Sequence, residues 1–268
     1  MKDTFGFIGC GNMGGALASA VAKTVSGTQI TLCDASPEKV ERLAASFGAR
    51  VTDAATLAGE CRYIFLGVKP QGFATLFEEL RPILQKREDA FVLVTMAAGI
   101  SIKTVEQYVG MPCRVIRIMP NTPAAVGEGM ILYDAGAWVS DDELETFRKA
   151  LSAAGVLDRL PEEKIDAASA LSGCGPAFVY LFAEALADGA VECGLPRDKA
   201  MLYAAQTLSG AAKLLLTSGK HPGELKDAVC SPGGTTIAGV HALEESAFRA
   251  AAINAVTAAY EKTLKLKK

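Results

Sequence analysis

The chain has 268 residues, 50% of them hydrophobic, and a formal net charge of -3. That is enough apolar material for one large domain or two modest ones, without the basic stripe that phosphate-backbone binding requires, so nucleic acid is excluded as an expected partner. The seven cysteines, at positions 10, 33, 61, 113, 174, 193 and 230, form no C-x-x-C pair and sit near no histidine cluster. No metal site and no disulfide framework is expected, and isolated cysteines of this kind suit a reducing, cytoplasmic location. Met1-Lys2-Asp3-Thr4 runs directly into Phe5-Gly6-Phe7-Ile8 and leaves no room for a signal core. The longest uncharged stretch, 167–183, holds Ser172, Gly173, Gly175 and Pro176 and falls short of the roughly 20 apolar residues of a spanning helix, so no membrane association is expected.

Along the chain, β-branched or aromatic runs without a polar face predict buried parallel strands at 4–8, 29–33, 63–68, 91–95 and 114–118. Helical segments separate them. Ser36-Pro37 offers an N-cap and an N1 proline, Gly48 a C-terminal stop, and Ser140 with Glu143 a capping box. Beyond Pro161 the strand signals fade into helical spacing rich in Ala, Leu, Glu and Lys, broken at 194–196, 219–222 and 231–234. The expected fold is therefore α/β: an N-terminal Rossmann-type, doubly wound parallel sheet over 1–160, followed by an all-helical domain over 161–268. Helices around 183–191, 200–216 and 247–264 are apolar over much of their circumference, which predicts a subunit interface.

Gly9-Cys10-Gly11-Asn12-Met13-Gly14 follows the first strand and opens an alanine-rich helix, the context a dinucleotide fingerprint needs. The first glycine permits the tight turn, the second admits the pyrophosphate, the third lets helix and strand pack, and the helix N-terminus favours the anion. Asp34, closing the second strand, is placed to accept ribose hydroxyls and repel a 2′-phosphate, which favours NADH. Ser36, Lys39 and Arg42 lie just beyond and could hold that phosphate, so NADPH or NADH stays open.

In a doubly wound sheet, ligands sit beyond the carboxyl ends of the strands. The residues there are Gly67-Val68-Lys69-Pro70, Ala97-Ala98-Gly99 and Met119-Pro120-Asn121. Small residues admit a flat nicotinamide-ribose, Lys69 can touch ribose or phosphate, and Asn121 can bond the carboxamide. Farther on, Ser231-Pro232-Gly233-Gly234-Thr235-Thr236 precedes a helix, so outward-facing amides and the helix end should hold a compact carboxylate beside a hydroxyl.

With these motifs in hand, the sequence resembles the pyrroline-5-carboxylate reductases over its whole length. The resemblance rests on Phe7-Ile8-Gly9-Cys10-Gly11-Asn12-Met13, Val68-Lys69-Pro70, Ala97-Ala98-Gly99, Met119-Pro120-Asn121-Thr122-Pro123, Leu171-Ser172-Gly173-Cys174-Gly175-Pro176-Ala177, and Leu225-Lys226-Asp227 followed by Ser231 to Thr236. It implies a C-terminal dimerisation domain, dimers assembling into larger homo-oligomers such as decamers, and the last step of proline biosynthesis. It also implies that Thr236 bonds the substrate nitrogen as proton donor, that amides of Gly233 to Thr236 bind the carboxylate, and that Ser36, Gly67 to Pro70 and Ala97 to Gly99 contact the cofactor. Two positions depart from the family pattern, Cys174 for a serine and Ala228 for an asparagine.

Reduction of C=N needs a hydride donor, a proton for nitrogen and fixed geometry, so neither His221 nor His241 need be catalytic. A β-hydroxyacid dehydrogenase shares the two-domain plan but uses a lysine early in the first helix of its second domain. Here that helix reads Pro176-Ala177-Phe178-Val179-Tyr180-Leu181, with none. A nucleotide-binding sensor without turnover is the non-enzymatic alternative, and the intact Ser231 to Thr236 stretch argues against it.

Overall fold

The computed structural model describes residues 3–266 and divides into two compact units. The first runs to Gly173 and includes the end of the last helix from Tyr260; the second is Cys174–Ala259.

The first unit is built on one sheet of β1 (Phe5–Ile8), β2 (Ile30–Cys33), β3 (Arg50–Val51), β4 (Tyr63–Leu66), β5 (Val92–Thr95), β6 (Arg114–Met119), β7 (Gly129–Ala135) and β8 (Gly155–Arg159). The order is β3-β2-β1-β4-β5-β6-β7-β8, which reverses direction between β1 and β4. All five expected strands are present and parallel to their neighbours, whereas β7 runs antiparallel to β6, with β8 parallel to β7. The doubly wound sheet is thus extended by three strands that periodicity did not indicate, β3 at one edge and β7 and β8 at the other. β7 pairs antiparallel with β6, outside the strand–helix alternation of the preceding chain, and β8 is an edge strand that ends on the charged pair Asp158 and Arg159.

Helices α1 (Asn12–Val21), α2 (Pro37–Phe47), α3 (Ala54–Glu60), α4 (Phe73–Leu84), α5 (Ile102–Val109), α6 (Asp141–Leu151) and α7 (Glu162–Ser172) cover the sheet. One apolar layer gathers Phe5, Phe7, Tyr63 and Phe65 with Leu17 and Phe147; the other gathers Ile8, Ile64 and Leu66 with Phe73, Phe77 and Leu80. Phe7 stacks on Phe65 at 4.4 Å between ring centres. Local signals agree with the packing. Pro37 occupies the first turn of α2, Gly48 ends it in the left-handed region at φ 72°, and Ser140 and Glu143 form the reciprocal capping box of α6.

α7 belongs to this unit for a specific reason. Arg117, in the middle of β6 and only 2% exposed, bonds Asp166 at 2.7 Å. Glu162 Oε1 accepts from the Ile102 amide at 2.8 Å and faces Arg117 at 3.4 Å, while the Glu162 amide donates to Asp134 at 2.9 Å. Division by compactness therefore falls after α7, at Gly173, while the fading of strand signals divides the chain before it, at 160.

The second unit consists of α8 (Gly175–Glu192), α9 (Arg197–Ser218), α10 (Pro222–Val229), α11 (Thr235–Glu245) and most of α12 (Phe248–Leu266). Its buried cluster is only Ala187, Ala200 and Ala204, and Tyr180, Leu181, Leu216 and Ile253 are each more than half exposed. The run Glu162–Glu192 is, by length and composition alone, long and apolar enough to cross a membrane.

The buried Arg117–Asp166 pair sets a stability test. Arg117→Ala is expected to destabilise the first unit by about 3–5 kcal/mol by removing the cation that the buried Asp166 carboxylate faces, whereas Arg117→Met with Asp166→Leu recovers most of that loss. Denaturant unfolding followed by circular dichroism checks both.

Candidate functional site

The glycine loop leaves β1 at the point where strand order reverses. Gly9 adopts φ 91°, and its amide donates to Cys33 O at 2.8 Å. A β-carbon on Gly14 would lie 2.0 Å from Gly9 O, and one on Gly67 would lie 2.3 Å from the same oxygen. Gly11, by contrast, faces open space. Gly9 thus turns the chain, Gly14 permits the close backbone packing, and Gly11 leaves open the space through which a pyrophosphate would approach. Gly11 caps α1 without a side-chain bond, and the amides of Asn12, Met13 and Gly14 find no acceptor among the described residues. An open first turn with no acidic residue fits a pyrophosphate.

The other residues expected on the cofactor side are placed as follows. Gly67 donates to Ile8 O at 2.7 Å, which pins the start of Val68-Lys69-Pro70 beside the glycine loop. Lys69 is exposed, as are Ala98 and Gly99, while Ala97 is buried beneath them. Gly99 turns at φ 77° into open space. Ser36 begins α2 but its hydroxyl caps nothing.

Two expected contacts are engaged elsewhere. Asp34 Oδ2 accepts from the Cys10 amide at 2.6 Å and Oδ1 from the Ser36 amide at 2.9 Å. Asn121, 9% exposed, donates through Nδ2 to Ser172 O at 2.9 Å and accepts through Oδ1 from the Met130 amide at 2.9 Å. Its amide is thus a tie between β6, β7 and the end of α7, which displaces the expected carboxamide contact.

In the second unit, Ser231 to Gly234 form a tight turn onto α11. The Gly234 amide donates to Ser231 O at 3.0 Å, and a β-carbon on Gly234 would meet Ser231 Oγ at 2.3 Å. Gly233 holds φ 65°, a left-handed conformation that favours glycine. Gly234 caps α11 with no side-chain bond, and the amides of Thr235, Thr236 and Ile237 find no acceptor among the described residues. The open amides are therefore those of Thr235, Thr236 and Ile237, whereas the Gly234 amide is closed by its own turn. Thr236 is exposed in that first turn.

Two family models match the chain: residues 162–266 match pyrroline-5-carboxylate reductase dimerisation, and residues 4–99 match NADP oxidoreductase, coenzyme F420-dependent. The curated pyrroline-5-carboxylate reductase 3 of Danio rerio is 44% identical over 97% of this chain and 90% of its own length. The pyrroline-5-carboxylate reductase of Escherichia coli K12 is 40% identical over the whole of both chains. This chain belongs to the pyrroline-5-carboxylate reductase family. A solved reductase of this family, that of Plasmodium falciparum with NADP bound, superposes with a TM-score of 0.89 at 30% identity over 100% of this chain and 99% of its own.

Within this member of the reductase family, several structural ties were not legible as such. Arg117 sits in a run read as an ordinary buried strand, and a single charged residue carries no signal of its partner on α7. Cys10, in the phosphate loop, is inert: burial first, and then the charge of Asp34, push its thiol from 9.0 up to about 12. A thiol held neutral in the fold stabilises fully below pH 9.0, and that contribution is lost as pH rises toward about 12. Cys10→Ala is therefore expected to flatten the fall of the melting temperature across that alkaline range, measured against the parent protein in matched buffers.

Proposed function

We propose that the chain reduces the C=N bond of 1-pyrroline-5-carboxylate to L-proline, the last step of proline biosynthesis, with hydride from NADPH or NADH. Family membership over the full length supports the reaction, and the row of unpartnered amides at Thr235, Thr236 and Ile237 is the observation that carries the site. A carboxylate is the group such a row recognises, because three donors converge at the positive end of a helix with no acidic residue in its first turn.

Bound at the glycine loop, the nicotinamide cofactor supplies the hydride. The chain supplies the rest. The amides of Gly11, Asn12, Met13 and Gly14 receive the pyrophosphate, and the small residues Ala97, Ala98 and Gly99 leave room for a flat ring. The turn Ser231-Pro232-Gly233-Gly234, kept tight by the Ser231–Gly234 bond, sets the direction of the first α11 amides toward the substrate carboxylate. Thr236 presents its hydroxyl beside those amides and holds the proton at the ring nitrogen. The imine nitrogen is basic enough to be protonated near neutral pH, so one exposed hydroxyl with access to water suffices.

Thr236→Ala is expected to lower kcat by about 10- to 1,000-fold, since positioned proton donors contribute roughly 10²–10⁴. Thr236→Ser is expected to retain most of it. The assay follows NADPH and NADH oxidation with pyrroline-5-carboxylate as acceptor; a full rate in Thr236→Ala removes the donor role.

The match of the helical region to a dimerisation family supports a homo-oligomer; in this reading the dimers close into a decamer, in the cytoplasm. The exposed apolar faces of α8, α9 and α12 meet a second copy rather than lipid. Light scattering on the purified protein is expected to give a decamer, and flotation with phospholipid vesicles to leave it in solution. A mass that stays at the dimer rejects the ring, and co-flotation rejects the assignment of these faces to subunit contact.

A further inference from the structure

We infer that Ser172 is a further cofactor-contacting residue of the reduction, its hydroxyl kept for the carboxamide of the bound nicotinamide, and that Asn121 is the positioning residue that holds it. The inference rests on the reductase reading above and deepens its cofactor side.

A doubly wound sheet consists of two mononucleotide-binding halves that meet where the strand order reverses. The glycine loop and β2 belong to the adenosine half, and β4, β5 and β6 to the nicotinamide half. Asn121 follows the carboxyl end of β6 and is 9% exposed. Its Oδ1 accepts from the Met130 amide at 2.9 Å and its Nδ2 donates to Ser172 O at 2.9 Å. The two ends cannot exchange roles, because Met130 offers a donor and Ser172 an acceptor. A contact to the nicotinamide amide therefore falls to another side chain at this strand end.

Ser172 is the last residue of α7. Arg117 on β6 secures the body of that helix through Asp166 and Glu162. Asn121 secures its end, by giving the Ser172 carbonyl the partner that the last turn of a helix cannot supply. Just beyond, the Gly173 amide donates to Ser169 O at 2.8 Å, and a β-carbon on Gly173 would lie 2.8 Å from the same oxygen, so the chain has no slack there. Ser172 is thus fixed on both sides, yet its Oγ is buried and makes no hydrogen bond among the described residues. A buried hydroxyl without a partner is a cost to the fold that calls for a compensating use. In the nicotinamide half of the sheet, the carbonyl oxygen of the nicotinamide amide is an acceptor suited to it. One such bond sets which way the ring turns, and so where its hydride-bearing carbon faces.

Isothermal titration of the full-length protein compares NADP+ with 2′-phospho-ADP-ribose, the same nucleotide without its nicotinamide. Ser172→Ala and Asn121→Ala are each expected to weaken NADP+ by about 3- to 10-fold, the size of one neutral hydrogen bond, and to leave the nucleotide without the ring within about two-fold. The double variant is expected to bind no more weakly than the weaker single one, because Asn121 acts through Ser172. Asn121→Asp is expected to bind NADP+ poorly at about pH 8 and to regain affinity relative to the parent toward about pH 5.5, as its buried carboxyl takes up a proton and again offers a hydrogen to Ser172 O. Ser172→Ala is expected to melt no lower than the parent, since it removes an unpaired hydroxyl, and yet to lower kcat. Equal weakening of both nucleotides, losses that add in the double variant, or full NADP+ affinity in Ser172→Ala overturns the inference. If circular dichroism shows the Asn121 variants unfolded, Ser172→Ala, which removes a single oxygen, decides. Failure of the parent protein to reduce pyrroline-5-carboxylate, with these nucleotide affinities as expected, would defeat the reductase reading alone.

Discussion

The cofactor edge depends on a crossing of two backbones so close that no side chain fits at the contact. Gly9 O lies where a β-carbon of either Gly14 or Gly67 would be, so the first turn of α1 and the exit of β4 both close on one carbonyl oxygen. That closeness aims the free α1 amides past Gly11 into open space, and it brings the Val68-Lys69-Pro70 segment beside them. An alanine at Gly14 or Gly67 would have to push apart backbone rather than a flexible side-chain end, so the damage would reach the phosphate seat directly.

The second unit shows the opposite physics. Its fully buried cluster is three alanines, while large apolar side chains on α8, α9 and α12 remain at the surface. A helical body of that size gains too little from its own interior to be satisfied alone, because the fraction of surface removed from water falls steeply in small bodies. This region is also the one that matches a dimerisation family.

What could be read in the chain was local. The five central strands are continuous apolar runs, the glycine motif has a strand before it and a helix after it, and Ser140 with Glu143 is a signal contained in four residues. What escaped depends on partners far along the chain. β3 is two residues long, and β7 and β8 form by pairing with one another and with β6. Asp34 and Asn121 follow the carboxyl ends of β2 and β6, yet their side-chain hydrogen bonds go to Cys10, Ser36, Ser172 and Met130, a choice made by folded geometry. The closing of the Gly234 amide within its own turn is of the same kind: a glycine pair announces a loop, but which of its amides stays open is decided by the turn.

The two borders of the sheet have a consequence for life at high concentration. At one, β3 offers only Arg50 and Val51, with the arginine paired to Glu60. At the other, β8 ends on exposed Asp158 and Arg159. Short or charged rims are poor templates for strand addition. The sheet between them can therefore crowd against its neighbours without zipping into fibrils.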